Sequence, residues 1–266
     1  MATTKPEYRM AVVTGASSGI GESFVKSLPA STGLLLTGRN EERLDAMRRR
    51  YARDGRTVEI MALDLASETD RRNLIERAGA LKVDLLINNA GFGAFGPFLE
   101  NDAAAELGMV AVNVTAVVDL THALLPGMID RAARSGQRAG LIIVSSVVAF
   151  TPVPMFATYA ATKAFELSFA EALADEVSNA PVDVLALCPG ATRTEFFNRA
   201  GMSLSILRRA EEPDDVARKA LRALGRQRVL VSPGNARFAL TPANWRRRLL
   251  VVGAGRYMRF VGRRDR

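Results

Sequence analysis

Residues 10–21 read Met10-Ala11-Val12-Val13-Thr14-Gly15-Ala16-Ser17-Ser18-Gly19-Ile20-Gly21. Met10–Thr14 is an apolar run without polar alternation, as in a strand buried on both faces. Glycines follow at once, ahead of a helical pattern from about Gly19 to Leu28. In such a strand–loop–helix turn glycine allows a tight bend and a close backbone approach to a pyrophosphate. That group then sits among the free N–H groups at the positive end of the helix dipole. The stretch predicts the first βα unit of a dinucleotide-binding sheet, with Gly15, Ser17, Ser18, Gly19, Ile20 and Gly21 around the phosphates.

The same alternation runs on down the chain. Strands are expected at Gly33–Thr37, Val58–Leu63, Asp84–Asn88, Gly140–Ser145, Val182–Leu187 and Val229–Ser232. Helical patterns separate them at Glu41–Arg53, about Ser67 to Gly79, Ala103 to Ala133 and about Thr158 to Ser178. A last helix runs from Pro213 to Leu224, where proline and two acids, Asp214 and Asp215, suit a first turn. Apolar strands joined by helical crossovers make a parallel sheet. No Gly/Ser/Pro linker and no repeat divides the chain. The expected fold is α/β: one doubly wound parallel sheet (a Rossmann fold) in residues 1–236, with a short basic extension, 237–266. Ligands of such sheets bind beyond the carboxyl ends of the strands, at the switch in strand order.

Composition narrows the function. The 266 residues are 48% hydrophobic and 24% charged, as in a protein with a full core. The formal charge of +8 is confined to the end of the chain: residues 237–266 hold nine arginines against Asp265, while 1–236 balance at 27 Lys+Arg and 27 Asp+Glu. A neutral body is not a nucleic-acid docking face. Cys188 is the only cysteine and His122 the only histidine, so neither an intramolecular disulfide nor a catalytic zinc site can be assembled, and no metal is expected. Residues 1–8 carry no signal-like apolar stretch, and no segment reads as a membrane span of about 20 apolar residues. A cytoplasmic protein is expected.

The glycine spacing, TGxxxGxG, departs from the ordinary GxGxxG. Further along lie Asn88-Asn89-Ala90-Gly91, Asn113 in the long helix, Ser146, Tyr159-Ala160-Ala161-Thr162-Lys163 and Pro189-Gly190-Ala191-Thr192-Arg193-Thr194. Together these resemble the short-chain dehydrogenase/reductase family over about residues 9–232, with its NNAG, YxxxK and PGxxxT motifs in order. The resemblance implies an NAD(P)-dependent oxidoreductase with Ser146, Tyr159, Lys163 and Asn113 as catalytic residues. It places Asp64 and Leu65 at the adenine, and Asn89, Ala90 and Gly91 under the adenosine ribose. Lys163 would meet the nicotinamide ribose beside Tyr159, Pro189, Gly190, Thr192 and Thr194 would also contact the cofactor, and Asn113 would hold a water linking Lys163 to solvent. A homodimer or homotetramer, associating through the long helices, is implied as well.

Two readings rest on the residues themselves. The second strand ends in Gly38-Arg39-Asn40, with no acid at the turn to repel a 2′-phosphate and with Arg39 able to pair with one, although Glu41 and Glu42 follow. This predicts NADP (NADPH) over NAD. Tyr159 and Lys163 at i and i+4 share a helix face, and an ammonium beside a phenol favours the phenolate and lowers its pKa. Tyr159 is then the acid/base at a carbonyl or alcohol oxygen, with Ser146 donating to the same oxygen.

The resemblance implies a substrate lid after PGxxxT, here Glu195-Phe196-Phe197-Asn198-Arg199-Ala200-Gly201-Met202-Ser203-Leu204-Ser205-Ile206-Leu207. Its apolar residues suit an apolar substrate or, equally, packing on the domain. With Gly91–Phe98 and Val147–Met155 they make an apolar wall similar to that of family members acting on a small-molecule ketone or alcohol such as a 3-oxoacyl or steroid-like compound. The tail alternates basic and apolar patches. Peripheral contact with an anionic membrane, an acidic partner, or a helix that covers the pocket or another subunit each fits it, the last being preferred. Rival readings are an NAD-preferring dehydrogenase and a non-catalytic, cofactor-sensing binding protein, which would have no need of the Tyr/Lys pair. An epimerase or dehydratase is disfavoured because no separate substrate domain is present.

Overall fold

The computed structural model describes residues 7–52, 55–201 and 210–232; the tail and positions 202–207 of the expected lid lie outside them. Seven strands form one parallel sheet: β1 (Met10–Val13), β2 (Gly33–Gly38), β3 (Val58–Ala62), β4 (Leu85–Asn88), β5 (Ala139–Val144), β6 (Val182–Pro189) and β7 (Val229–Ser232). Their order is β3-β2-β1-β4-β5-β6-β7, so the winding reverses between β1 and β4. In register, Ala11 pairs with Leu34 on one side and Leu85 on the other.

Helices cover both faces. The first layer holds α1 (Gly19–Ser27), α2 (Glu41–Tyr51) and α8 (Pro213–Ala223); the second holds α3 (Glu68–Ala80), α5 (Ala116–Ser135) and α6 (Ala157–Glu176). Two shorter helices, α4 (Ala103–Val110) and α7 (Phe196–Arg199), complete the set among the described residues. Strand residues alternate between the layers. Ala11, Val13, Leu34, Leu36, Leu85 and Ile87 pack with Phe24, Leu44 and Val216. Val12, Leu35, Leu86, Leu141 and Ile143 pack with Leu74, Leu120, Met128 and Leu167. Both side-chain sets are buried, which is why the strands read as unbroken apolar runs.

Element bounds differ from the sequence expectation by a few residues. The larger difference lies in the long helix, which runs from Ala103 to Ser135 but widens into a π-helical turn at Ala111–Thr115, around Asn113. By length and apolar composition this helix could span a membrane, contrary to the reading that no segment does. In the fold it is a core helix, burying Leu120, Leu124 and Met128 against the sheet.

Truncating a fully buried strand residue on this face removes packing that no neighbour replaces. Leu86→Ala is expected to destabilise the protein by about 3 kcal/mol, read as a lower urea midpoint with an unchanged slope.

Candidate active site

The reversal of strand order leaves a crevice at the carboxyl end of the sheet, and a cavity of about 740 Å³ occupies it. Its walls begin at the glycine loop. Gly15 turns with φ +63°, and a Cβ there would lie 2.9 Å from the Ala90 Cα. Ser18 caps α1 with extended backbone and no side-chain cap bond, so the first-turn N–H groups are left for an anion. Of the six loop residues expected around the phosphates, Gly21 alone does not line the cavity. A Cβ on it would come within 2.2 Å of the Gly15 carbonyl oxygen, so it serves the packing of helix on loop.

At the far end of β2, Arg39 lines the cavity and is exposed, with no acidic partner among the described residues. Arg43, one turn into α2, donates to both Glu195 oxygens at 3.1 Å, and Glu195 also pairs with Arg199. These guanidinium groups hold the Glu195 carboxyl below its ordinary pKa, and their own charge is answered. Asp64, Leu65, Asn89, Ala90 and Gly91 line the middle of the cavity. Thr14, outside the predicted site, accepts the Asn89 and Ala90 N–H groups at 2.9 Å each and so fixes that floor.

Ser146, Tyr159, Lys163, Pro189, Gly190, Thr192 and Thr194 line the other end. Ser146 follows β5 and precedes a 3₁₀ turn, Val147–Phe150, whose Val148 N–H donates to its hydroxyl at 3.3 Å. Tyr159 and Lys163 lie on α6, 7% and 4% exposed. The Lys163 ammonium is 5.7 Å from the Tyr159 ring centroid. Ser145 donates to the Lys163 carbonyl at 2.7 Å, tying α6 to β5. On its other side the tyrosine ring packs against Phe156 (4.6 Å between centroids) and Phe196 (5.2 Å). Met109, Val148 and Val153 extend this apolar cluster. Asn113 is fully buried and does not reach the cavity wall. Its side chain bonds the Phe92 N–H and carbonyl at 3.2 and 3.0 Å and donates to the Thr162 hydroxyl at 3.0 Å.

Sequence reasoning missed Glu166. This carboxylate is 1% exposed and lies one turn beyond Lys163, whose ammonium donates to its Oε1 at 3.0 Å and to the Val144 carbonyl at 3.0 Å. The second oxygen, Oε2, is 2.9 Å from the same nitrogen but off the hydrogen-bond angle, an ionic contact only. An acid at i+3 from Lys163 was the available signal, and it reads equally well as a solvated helix residue.

The electrostatics follow from burial. Loss of solvent pushes the Tyr159 phenol above its ordinary pKa. Lys163 pulls it down, Glu166 pushes it up and the hydrogen bond with Ser146 pulls it down, and burial prevails. The sequence reading had the right sign for Lys163 but took no account of desolvation or of Glu166. Burial lowers the Lys163 pKa, but Glu166 and then Tyr159 more than restore it, to above the ordinary lysine value. Burial raises Glu166 despite its partner.

Residues 9–205 match the short chain dehydrogenase family. The chain belongs to that family. Its members are oxidoreductases whose fold binds NAD or NADP. The fold is similar to that of a short-chain dehydrogenase from Sphingobium yanoikuyae in complex with NADPH, with a TM-score of 0.79 and 31% identity over 91% of this chain and 94% of that one. In sequence, the chain is 34% identical over 193 residues to a short chain dehydrogenase of Pseudocercospora fijiensis, taking in 71% of this chain and 61% of that protein. It is also 34% identical over 182 residues to the very-long-chain 3-oxoacyl-CoA reductase of Kluyveromyces lactis, 65% of this chain and 52% of that enzyme.

The contact between Gly21 and the Gly15 carbonyl yields a check on the cradle. Gly21→Ala is expected to cost about 2 kcal/mol through overpacking against backbone. In a thermal melt that amounts to a Tm lower by about 4–8 °C.

Proposed function

We propose that this short-chain dehydrogenase is an NADP-dependent carbonyl reductase or alcohol dehydrogenase, interconverting a ketone and a secondary alcohol on an apolar substrate of the 3-oxoacyl or steroid-like kind. The observation that carries this reading is the placement of Tyr159. Its ring is packed into an apolar cluster, the Lys163 ammonium stands 5.7 Å from the ring centroid, and Ser146 hydrogen-bonds its hydroxyl. A ketone with an apolar body would rest on Phe156 and Phe196 and bring its oxygen to the phenol. Similarity to a very-long-chain 3-oxoacyl-CoA reductase supports an extended apolar substrate.

The cavity residues fit a dinucleotide. Gly15, Ser17, Ser18, Gly19 and Ile20 would hold the pyrophosphate at the start of α1. Asp64 and Leu65 would border the adenine, and Asn89, Ala90 and Gly91 the adenosine ribose. Pro189, Gly190, Thr192 and Thr194 would border the nicotinamide end, where Lys163 has a donor to spare for ribose hydroxyls. Arg39, exposed and without an acidic partner among the described residues, is the group that would favour a 2′-phosphate. When bound, the nicotinamide ring supplies or accepts the hydride.

The chain's own residues handle the proton. In reduction the Tyr159 hydroxyl protonates the developing alkoxide while Ser146 donates to the same oxygen. In oxidation the ionised phenol accepts the alcohol proton, a role Lys163 assists by favouring the phenolate. Asn113 would act from behind this site, through its hold on Phe92 and Thr162. Association of copies through the long helices is part of the same reading. Leu107, 71% exposed, lies with Val110 and Val118 on the α4–α5 surface, and the stacked pair Phe165 and Phe169 lies on α6.

Tyr159→Phe is expected to lower kcat/KM by about 100-fold or more while dinucleotide affinity stays within about twofold; turnover that survives would refute the mechanism. Steady-state kinetics should favour NADPH over NADH. Arg39→Asp should then lower kcat/KM for NADPH by about ten- to a hundredfold and spare NADH, whereas an unaltered preference would remove Arg39 from the phosphate site.

A further inference from the structure

Family resemblance accounts for Ser146, Tyr159 and Lys163 but leaves one buried charge beside them unused. Glu166 is more deeply buried than either Tyr159 or Lys163, and both of its oxygens lie within 3.0 Å of the Lys163 nitrogen. An ammonium has three donors. The Val144 carbonyl and Glu166 take two and fix the direction of the third. The space is tight on the remaining side, for a Cβ on Gly91 would lie 3.2 Å from this nitrogen. Lys163 is therefore held from α6 and β5 at once, facing the cavity that it lines.

We propose that Glu166 is a positioning and charge-setting residue. It holds the Lys163 ammonium and offsets part of its charge, so that Tyr159 keeps its proton to higher pH and serves ketone reduction better than alcohol oxidation. This rests on the assignment of Tyr159 as the acid/base made above. The physical ground is that a buried charge acts on its neighbours through a weakly screening medium. An unanswered Lys163 ammonium would pull strongly on the phenol's proton. With a carboxylate against it, the phenol meets something closer to a dipole, and the pull is weaker. Among the described residues, the titratable groups facing the Lys163–Glu166 pair are Tyr159 on α6 and Cys188 on β6.

Removing Glu166 has two opposed consequences. The phenol loses a nearby negative charge, which lowers its pKa, and Lys163 loses its counter-ion, which draws its own pKa down and would weaken its effect on Tyr159. The first effect prevails if Lys163 stays charged. Without Glu166, Lys163 still keeps the Val144 carbonyl, the attraction of an ionised Tyr159 and the cavity for solvation.

The test is Glu166→Gln, with Glu166→Asp as the charge-retaining companion. Phenol ionisation is followed in the cofactor-free protein by near-ultraviolet absorbance. Subtracting the Tyr159→Phe titration isolates Tyr159 from the other three tyrosines. In Glu166→Gln the Tyr159 titration should move down by about one pH unit, and the alkaline fall of kcat/KM for ketone reduction should move with it, giving about a tenfold relative loss at a pH on that limb. Glu166→Asp should hold both near their original positions, which a merely space-filling role does not require. A titration that stays in place in Glu166→Gln, or that moves up because Lys163 has lost its proton, overturns the inference. Turnover surviving in Tyr159→Phe would overturn the proposed mechanism instead, and the cofactor-free titration would still decide whether Glu166 sets the phenol's proton affinity.

Discussion

The Thr14 hydroxyl accepts the N–H groups of both Asn89 and Ala90, and Asn89 returns its side-chain amide to the carbonyls of Thr14 and Gly15 at 2.8 and 3.2 Å. These bonds hold the ends of β1 and β4 together where the strand order reverses. At that point the crossover helices leave for opposite faces, and a crevice opens that no side-chain layer fills. The glycine loop forms one wall and Asn89, Ala90 and Gly91 the other. Each depends on the other's backbone: a Cβ on Gly15 would meet Ala90, and one on Gly21 would meet both the Gly15 carbonyl and the Asn89 amide. The cavity thus follows from the way two parallel strands are tied at a topological switch.

At the opposite end of the cavity the constraint is electrostatic. Tyr159, Lys163 and Glu166 are all nearly removed from water, and two buried ions are tolerable only when paired and hydrogen-bonded. The Val144 carbonyl, the Ser145 hydroxyl and the Ser146 hydroxyl, three consecutive residues where β5 ends, provide the fixed dipoles around them. Hydrogen bonds thus tie the Tyr159–Lys163 turn of α6 to the end of β5. The aromatic cluster of Phe156 and Phe196 adds an apolar surface to the same tyrosine, so polar and apolar parts of the cleft meet at one side chain.

Much of this could be read from residue order. The apolar runs at Met10–Val13, Leu34–Leu36 and Leu85–Ile87 revealed strands covered on both faces, because alternate residues feed two separate cores. The sequence reading brought eighteen of the predicted positions, among them Arg39, Asp64 and Thr194, to the wall of one cavity. Gly21 and Asn113 fell behind that wall. Both pack or bond against the residues that do form it, and spacing along the chain does not distinguish a residue in a wall from one supporting it.

The sequence by itself determined the doubly wound sheet, the position of the crevice and the residue types that face it. Those properties follow from local periodicity and from glycine's small size, which act over a few residues. Tertiary structure alone decided the state of the charges. Whether an acid one turn after Lys163 is solvated or sealed depends on how α6 folds back against β5 and β6, the strands on either side of it in the chain, which no local pattern within the helix reveals. The same packing made burial outweigh Lys163 in setting the Tyr159 proton affinity, since desolvation is a property of the whole surrounding volume.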